Sequence, residues 1–336
     1  MNEKYLNPQA YIRPVESHRT QPSLENPPAL NVPVKPRSAS PGTFLLGRRI
    51  LLGLGWGFMA FLAVAPLRAM VFYATADPNF NTTPPTGRLA GSGWQWVGTW
   101  GGFQGTVVGR HAFLAARHVG GAVGESFVLN GVSYLATGSF DDPQSDLRVW
   151  IVQGTFPSWA PLYRGDREVG LPLVVFGRGM VRGAEVRDPD LNLLRGWQWS
   201  PGDGRLRWGE NRIAAVVDGG SYWGALLRAT FDEAGGPNEA HLALGDSSGP
   251  VFVQDGADWK LAGVATTVDS AFNTTEAGPG FSAAIFDIRG LYFGTAGKWR
   301  LVSSPRPVPS GFYATRVSVR ASWIETVLDQ DEQPKK

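Results

Sequence analysis

Residues 241–252 read HLALGDSSGPVF and carry most of the information about fold and chemistry. Six small residues, GDSSGP at positions 245–250, follow one another between apolar runs. Glycine weakens an ordinary strand, because it loses more backbone entropy on folding and packs no side chain. The composition is typical of a tight turn that approaches a ligand closely. Ser247 and Ser248 lie in this turn and are candidate nucleophiles.

A serine nucleophile needs a base. Its hydroxyl is weakly reactive unless a neutral imidazole accepts the proton. The chain has four histidines. His18 lies in an N-terminal tail and His111 in a predicted hairpin turn, whereas His118 ends the apolar run AFLAARHVGG. His118 is therefore the candidate base, and His241 remains for another role.

The imidazole works best when a carboxylate fixes its tautomer. Asp146 opens the apolar run DLRVWIV and is the candidate acid. Asp141 and Asp142 lie in the preceding turn, where solvation is expected. The order along the chain is His118, then Asp146 after 28 residues, then Ser247 after 101 more.

Five segments in this order resemble the motifs of trypsin/chymotrypsin-like serine peptidases, in a bacterial-type, cysteine-free version of the S1 family. AARHV at 115–119 resembles TAAHC, SDL at 145–147 resembles the acid motif, and GDSSGP at 245–250 resembles GDSGGP. WKLAGVAT at 259–266 is similar to the strand beside the primary pocket. FYATRVS at 312–318, followed by ASWI at 321–324, is similar to the C-terminal ending. The resemblance covers about residues 94–328.

This resemblance implies a catalytic triad in which Ser247 is the nucleophile, His118 the general base and then acid, and Asp146 the orienting carboxylate. The backbone N–H groups of Gly245 and Ser247 would form the oxyanion hole. The reaction would be peptide hydrolysis through an acyl-enzyme, without a cofactor or a metal.

The same resemblance implies where a protein or peptide substrate binds. Its backbone would pair with the strand at 262–266, and Thr266, Thr267 and Val268 would line the site. His241 stands at the floor of the primary pocket. It either favours an acidic substrate side chain or is simply hydrogen-bonded in a turn.

The sequence also departs from the family pattern. Ser248 replaces the glycine after the nucleophile, Arg117 replaces a small residue before the base, and Val119 stands where a cysteine is usual. No activation sequence precedes the domain, so Asp246 lacks the amino-terminal partner that this position usually has. Activation by cleavage is therefore not expected.

The predicted fold is all-β. Short runs of β-branched and aromatic residues recur about every ten residues, which is typical of antiparallel sandwiches and barrels. The resemblance implies two packed antiparallel β-barrels, chymotrypsin-like, with a C-terminal helix at 317–328 whose apolar face includes Val319, Trp323 and Val327. The predicted segments are a linker at 70–93, a first barrel at 94–167, a second at 168–306 and a closing segment at 307–330.

The N-terminal residues are interpreted as a targeting segment. Residues 1–46 are proline-rich and predicted to be disordered. The apolar segment at 47–69, with its uncharged core at 50–67 after Arg48 and Arg49, is either a signal peptide or a membrane anchor. Basic residues on its N-terminal side predict export, so the catalytic domain would be periplasmic or extracellular, secreted or membrane-anchored.

Composition narrows the function classes. The formal charge of +2 gives no nucleic-acid footprint, and the absence of cysteine excludes disulfides and thiolate metal sites. Two alternatives to an active peptidase stay open. One is a catalytically inactive pseudoprotease that binds a ligand on the same scaffold. The other is a carbohydrate-binding β-domain, suggested by 13 tryptophans and by GWQW at 93–96 and 196–199.

Overall fold

A computed structural model describes residues 13–14 and 70–332. The disordered tail predicted for 1–46, apart from the two residues 13–14, and the apolar segment predicted for 47–69 lie outside the described residues. In the part of the chain that is described, no helix is both long and apolar enough to span a bilayer. Residues 70–332 belong to one compact unit.

The described residues form mostly short β-strands joined by turns. In chain order the strands are β1 (Arg13–Pro14), β2 (Val71–Phe72), β3 (Val97–Trp100), β4 (Phe103–Gly109), β5 (Ala112–Ala116), β6 (Ser126–Leu129), β7 (Val132–Asp141), β8 (Leu147–Val152), β9 (Pro172–Gly177), β10 (Val181–Arg187), β11 (Leu194–Ser200), β12 (Arg207–Asp218), β13 (Ala225–Thr230), β14 (Ala240–His241), β15 (Pro250–Asp255), β16 (Asp258–Val268), β17 (Phe272–Asn273), β18 (Ala283–Ile285), β19 (Tyr292–Phe293), β20 (Arg300–Leu301) and β21 (Gly311–Arg316). The α-helices in the same residues are α1 (Gly220–Trp223) and α2 (Ala321–Glu332).

The first barrel contains strands β3 to β8. They are antiparallel, follow the order β3-β4-β5-β8-β7-β6, and close by the pairing of β6 with β3. Aromatic rings fill the interior: Phe113 and Phe127 stack at 4.1 Å, and Trp100 lies 4.6 Å from Trp150. Gly98 of β3 makes room for them, because a Cβ at this position would lie 2.2 Å from the Phe127 ring. Glycine here serves the packing of the barrel.

The second barrel contains β9, β12, β13, β21, β16 and β15, which are hydrogen-bonded in that order, and β15 pairs back to β9. The closing segment predicted at 307–330 contributes β21 to this barrel before the chain reaches α2. The two closed six-stranded antiparallel barrels and the C-terminal helix confirm the predicted fold class.

The tryptophans of both GWQW segments lie in the packed interior or against it. Trp96 packs on Phe252 at 5.8 Å, and Trp197 is buried against Phe231. Among the tryptophans of residues 70–332, Trp159 alone is largely exposed, at 47%. An extended platform of exposed indoles, which a carbohydrate-binding surface would use, is therefore not formed by these residues.

Helix α2 packs against the core that joins the barrels. Its buried side chains are Ala321, Ile324 and Val327, which share one face of the helix at spacings of three. The predicted helix start at 317 is wrong, because residues 317–320 form a bend and a turn and α2 begins at Ala321. Val319 lies in that turn and is 48% exposed.

Smaller sheets cover the second barrel. One contains β10, β11 and β18 and another contains β17, β19 and β20, while β1 pairs with the edge of β12. The short strand β2 pairs with β14, so that Val71 lies opposite His241. This last pairing places the start of residues 70–332 directly beside the segment that leads to Ser247.

Glu239 is a buried carboxyl next to β14, and replacing it should change how stability depends on pH. Burial, with a smaller contribution from Asp232 and Glu210, raises its pKa to about 8 from an ordinary value of 4.5. Between about pH 4.5 and 8 the folded state therefore binds more protons than the unfolded state, so the free energy of unfolding falls as pH rises. In the wild-type protein, Glu239 should lower the free energy of unfolding by up to about 1.4 kcal/mol per pH unit in that window. In Glu239→Gln this contribution to the pH dependence should be absent.

Urea unfolding at pH 5, 6.5 and 8 measures this effect. The exposed Glu276 offers a matched control, because Glu276→Gln changes the same group in solvent and should leave the slope of the wild-type protein unchanged. Parallel stability curves for the wild-type protein and Glu239→Gln would show that Glu239 does not titrate in this range.

Candidate active site

His118 lies in a turn at the end of β5. All five residues of β5 are buried, and the chain then enters the 3-10 turn Arg117–Val119, which ends at Gly120 with φ of +73°. The Gly120 carbonyl accepts a hydrogen bond from the Trp100 indole at 3.2 Å. The His118 side chain is 24% exposed. The imidazole therefore stands at the barrel surface on an anchored turn.

Asp146 holds His118 by two hydrogen bonds. Its carboxylate is fully buried, with Oδ2 2.5 Å from His118 Nδ1 and Oδ1 accepting the His118 backbone N–H at 3.0 Å. The Asp146 carbonyl also accepts the Arg117 N–H at 2.7 Å. A carboxylate on Nδ1 requires the proton there, so Nε2 of a neutral ring is left as an acceptor. The structure thus brings the candidate base and acid together.

The loop before Asp146 is fixed by a distant arginine. Asp142 is fully buried, accepts the Ser145 hydroxyl at 2.5 Å, and receives Arg320 Nε at 2.6 Å. The solvated position predicted for Asp142 is therefore wrong. Arg320 precedes α2, so the C-terminal segment stabilises the loop that presents the candidate acid.

The serine turn lies between β14 and β15 and is bonded to both barrels. The Ser248 hydroxyl is fully buried and accepts the Ala116 N–H at 3.0 Å, two residues before His118. On the other side, the Ser248 N–H donates to the Ala265 carbonyl at 2.8 Å. The hydroxyl and the N–H group of Ser248 are thus both used in hydrogen bonds to the two barrels. The neighbouring Ser247 is half-buried, so part of its side chain is accessible.

The hydroxyl of Ser247 and the Nε2 atom of His118 both lack hydrogen-bond partners among residues 70–332. The Ala116 to Ser248 hydrogen bond joins the segment two residues before His118 to the residue that follows Ser247. In free enzymes the bond between nucleophile and base is often long and shortens only with bound substrate. The arrangement leaves one donor and one acceptor free for each other and for a ligand.

Two backbone N–H groups are also free. Those of Gly245 and Ser247 donate to no acceptor in the described residues. Gly245 has a backbone φ of +92°, which residues with a side chain rarely adopt. A Cβ added at this position would lie 2.9 Å from Gly179 Cα. Unpaired backbone N–H groups in a turn that carries a candidate nucleophile can stabilise a developing oxyanion.

Gly179 allows the close approach that shapes this turn, and a larger side chain at this position should displace the free N–H groups of the turn. A Cβ on Gly179 would lie 2.3 Å from the Leu244 carbonyl oxygen and 2.7 Å from the Asp246 nitrogen, so the turn must shift. If these N–H groups bind an oxyanion, Gly179→Ala should lower kcat by about 10² to 10³, the effect of losing one oxyanion donor. The control is Gly138→Ala, since no atom lies within 4 Å of a Cβ there. Equal kcat values for the two variants would contradict the prediction.

Asp246 stabilises the serine turn through hydrogen bonds that its carboxylate accepts from backbone groups. Its buried carboxylate accepts N–H groups from Gly179 at 2.7 Å and Ala243 at 2.8 Å, and the backbone N–H groups of Arg178 and Met70 also act on it to lower its pKa. Burial raises the pKa of Asp246 to about 7, against the opposing effect of these donors. No ion pair of the described residues includes Asp246, and its partners are backbone groups, one of them next to β2.

Gln104 is a site residue that the sequence analysis missed. It is fully buried in β4 of the first barrel. With its amide oriented to satisfy both ends, its nitrogen donates to the Ser247 carbonyl at 2.8 Å and its oxygen accepts the Arg178 N–H at 2.6 Å. The available signal was a glutamine in the mostly apolar run FQGTVV at 103–108.

His241 is fully buried between aromatic rings. Its Nδ1 lies 2.5 Å from the Leu242 carbonyl and its Nε2 3.3 Å from the Ser310 hydroxyl, and the Phe231 and Phe312 rings contact it edge-on at 5.6 and 6.1 Å. Burial lowers the pKa of His241 to about 4, so the ring is neutral at neutral pH. Both ring nitrogens are occupied, and this side chain offers no open face to a ligand.

The candidate substrate strand is the end of β16. Pairing with β15 ends at Val264, and Ala265 bonds to the serine turn. Thr266 is buried, whereas Thr267 and Val268 are half-buried and pair only with β21 in the described residues. Their other edge is open to an added strand. Within the same residues, no cluster of three or more histidine, aspartate and glutamate side chains could hold a metal ion.

The chain was compared with protein-family models, curated proteins and solved structures. No protein-family model matches the sequence, and no curated protein matches it. Two closed six-stranded antiparallel barrels, joined by the hydrogen bond from Ala116 N–H to the Ser248 hydroxyl, form the architecture that the sequence motifs implied. Among solved structures, neuropsin, a serine protease expressed in the limbic system of mouse brain, is similar at 15% identity over 71% of this chain and 96% of neuropsin, with a TM-score of 0.43.

Proposed function

We propose that this chain is a serine endopeptidase of the trypsin-like S1 family that hydrolyses peptide bonds in proteins or peptides. The observation that carries the proposal is the Asp146 to His118 pair, with Nε2 left free beside a serine turn that is tied to the same segment through Ser248. The free N–H groups of Gly245 and Ser247 support it independently.

In the proposed reaction, Ser247 Oγ attacks the carbonyl carbon of the scissile bond, and its proton passes to His118 Nε2. Asp146 stabilises the imidazolium through Nδ1–H, and the N–H groups of Gly245 and Ser247 bind the oxyanion. The carbon–nitrogen bond then breaks as His118 returns the proton to the leaving amine. A water molecule, deprotonated by His118, hydrolyses the acyl-enzyme and regenerates Ser247.

Substrate backbone is proposed to pair with the open edge of β16 at Thr267 and Val268, next to the turn. Extended peptides bind sheet edges through main-chain hydrogen bonds, and side-chain pockets then supply specificity. Because His241 is closed by its own contacts, we propose no acidic preference for this enzyme through that residue.

A fluorophosphonate probe, which reacts with activated serines, tests the proposal on the full chain. The expected result is a covalent adduct on Ser247, located by mass spectrometry, together with cleavage of a peptide library. Ser248→Ala should keep the adduct on Ser247. A folded protein that neither reacts nor cleaves would contradict the proposal and favour the pseudoprotease alternative, while retention on a polysaccharide resin would favour a carbohydrate-binding domain.

We further propose that the barrels are exported, because Arg48 and Arg49 precede the apolar residues 50–67. Cell fractionation with an antibody to the barrels tests this, and a signal only in the cytoplasm would contradict it. Recovery in the membrane fraction would indicate an anchor, and recovery in the soluble exported fraction a cleaved signal.

A further inference from the structure

The chain that follows Asp287 carries positive charge that no nearby residue in the sequence balances. Residues 288–324 contain lysine and arginine but no aspartate or glutamate. Some of these cations form ion pairs with acids elsewhere in the chain, namely Arg289, Arg316 and Arg320. The others are exposed and form no ion pair within residues 70–332, namely Lys298, Arg300 and Arg306. Their charge is therefore available to an outside partner.

An exposed leucine lies directly beside these cations. Leu301 follows Arg300 in β20 and is 56% exposed. The strand is the last one in the sheet order β17-β19-β20, with Arg300 opposite Phe293 and Leu301 opposite Tyr292 of β19. Because β20 stands at the edge of its sheet, both of its residues are accessible to solvent.

The turn between β10 and β11 presents two more leucines. Leu191 is 67% exposed and Leu193 is 50% exposed. The buried Asp188 carboxylate holds this turn, because it accepts the N–H groups of Asp190 at 2.9 Å and Leu191 at 3.0 Å and pairs with Arg195 at 2.8 Å. The two leucines are thus displayed by an ordered turn.

The turn and the edge strand belong to adjoining segments. A Cβ on Gly290 would collide with the Asp188 carboxylate, so the chain at 290 lies directly against the base of the turn. The Gly290 N–H donates to the Val302 carbonyl at 3.1 Å, next to Leu301. We call the exposed residues of these segments the leucine–arginine face, which comprises Leu191, Leu193, Lys298, Arg300, Leu301 and Arg306.

The face has a surplus of positive charge. Its three cations compare with two exposed acids on neighbouring segments, Asp190 at the turn and Glu276 in the loop that also contains Gly278. The Gly278 carbonyl accepts the Trp299 indole N–H at 3.1 Å, which ties this loop to β20. The positive charge is therefore concentrated on the β20 side.

We propose that the leucine–arginine face binds the surface of an anionic lipid bilayer. Lysine and arginine are attracted to acidic headgroups, and apolar side chains that enter the boundary between headgroups and acyl chains leave water. A soluble polyanion would pair with the cations but would leave the three leucines in water, so the lipid surface satisfies more of the face. The proposal does not depend on the proposed peptidase function.

The consequence for the protein is a second attachment to the membrane. Residues 70–332 form one compact unit, so docking of this face would hold both barrels at the lipid surface. That contact would be retained whether or not residues 50–67 remain in the mature chain. A protein bound in this way would meet partners that are themselves at the membrane.

A fluorescent label on the face tests the proposal with the full chain. The protein has no cysteine, so Leu301→Cys provides a unique site for an environment-sensitive dye. In vesicles of equal parts phosphatidylcholine and phosphatidylglycerol, the emission should shift to the blue and be quenched by brominated lipid. In pure phosphatidylcholine, or in about 1 M salt where the screening length falls to about 3 Å, the shift should be absent. Val123→Cys, 61% exposed in the first barrel, is the control and should show no shift.

Charge variants of the labelled protein measure the contribution of the cations. Replacing Lys298, Arg300 and Arg306 together by glutamine should lower the ratio of docked to undocked label about fivefold per residue, or about a hundredfold in all. The matched control makes the same change in charge at three exposed arginines elsewhere, Arg110, Arg164 and Arg167, and should keep the wild-type ratio. Leu191→Ser with Leu193→Ser should lower the ratio by about tenfold or more.

Several results would overturn the proposal. Equal emission of the label at 301 in neutral and anionic vesicles would show that the face does not bind acidic lipid. An equal shift at 123 would show that the barrels adsorb without a defined face, and a shift retained in the triple glutamine variant would exclude the cations. Binding to heparin without any response to vesicles would assign the face to a soluble polyanion.

Discussion

Ser247→Ala should lower kcat for peptide hydrolysis by about five to six orders of magnitude, the loss expected when a serine nucleophile is removed from an intact triad. The residual rate would come from substrate binding and the free N–H groups of Gly245 and Ser247. Fold stability should change little, because the Ser247 hydroxyl makes no hydrogen bond within residues 70–332. Steady-state kinetics and a thermal melt measure the two quantities.

Ser248→Gly is the matched control for this variant. Ser248 has φ of +69°, which glycine adopts without strain, but the change leaves the buried Ala116 N–H without its acceptor. Stability should therefore fall by about 1–3 kcal/mol, with only a modest change in kcat. A larger loss of kcat in Ser248→Gly than in Ser247→Ala would assign the nucleophile to Ser248 and contradict the proposal.

Asp146→Asn should lower kcat by about 10⁴. The asparagine oxygen can still accept the His118 backbone N–H, but its amide nitrogen would face Nδ1 as a donor. The ring would then carry its proton on Nε2, where it cannot accept the proton of Ser247. The position of the ring is kept, and the tautomer is lost.

Asp142→Asn provides the comparison, because Asp142 is equally buried and lies four residues away in the same loop. It bonds Ser145 and Arg320 and touches neither His118 nor Ser247, so its replacement should lower stability far more than kcat. Asp146→Asn should therefore have the lower kcat of the two variants, and Asp142→Asn should have the lower melting temperature. An Asp146→Asn protein within tenfold of wild-type kcat would rule out the assigned role of Asp146.

The sequence predicted what is encoded locally. Strand spacing and motif order identified the two-barrel fold, and the apolar run that ends at His118 and the one that begins at Asp146 correspond to β5 and β8. These features can be predicted because hydrophobic periodicity and turn composition depend only on residues that are close together in the sequence. The positions of Gly245 and Gly179 beside each other follow from the fold and could not be obtained from either segment alone.

The unpredicted features all depend on partners that are far apart in sequence. Ser248 is bonded to Ala116 across 132 residues, and Asp142 to Arg320 across 178. The neighbours of a buried polar side chain are set by tertiary packing, which local patterns do not encode. Gln104 is a further example. A polar residue in a mostly apolar strand indicates that a buried partner exists, but the sequence does not show which residue that partner is.

The first residues of the described core set a practical boundary for producing the protein. Met70, Val71 and Phe72 are almost completely enclosed, and the Met70 amide reaches the carboxylate of Asp246 beneath the serine turn. A shortened polypeptide that starts at Asp77 would lack these three residues, and water would enter beside Asp246. Material made for crystallography or inhibitor screening should therefore begin no later than Met70, even though residues 70–93 look like a dispensable linker in the sequence.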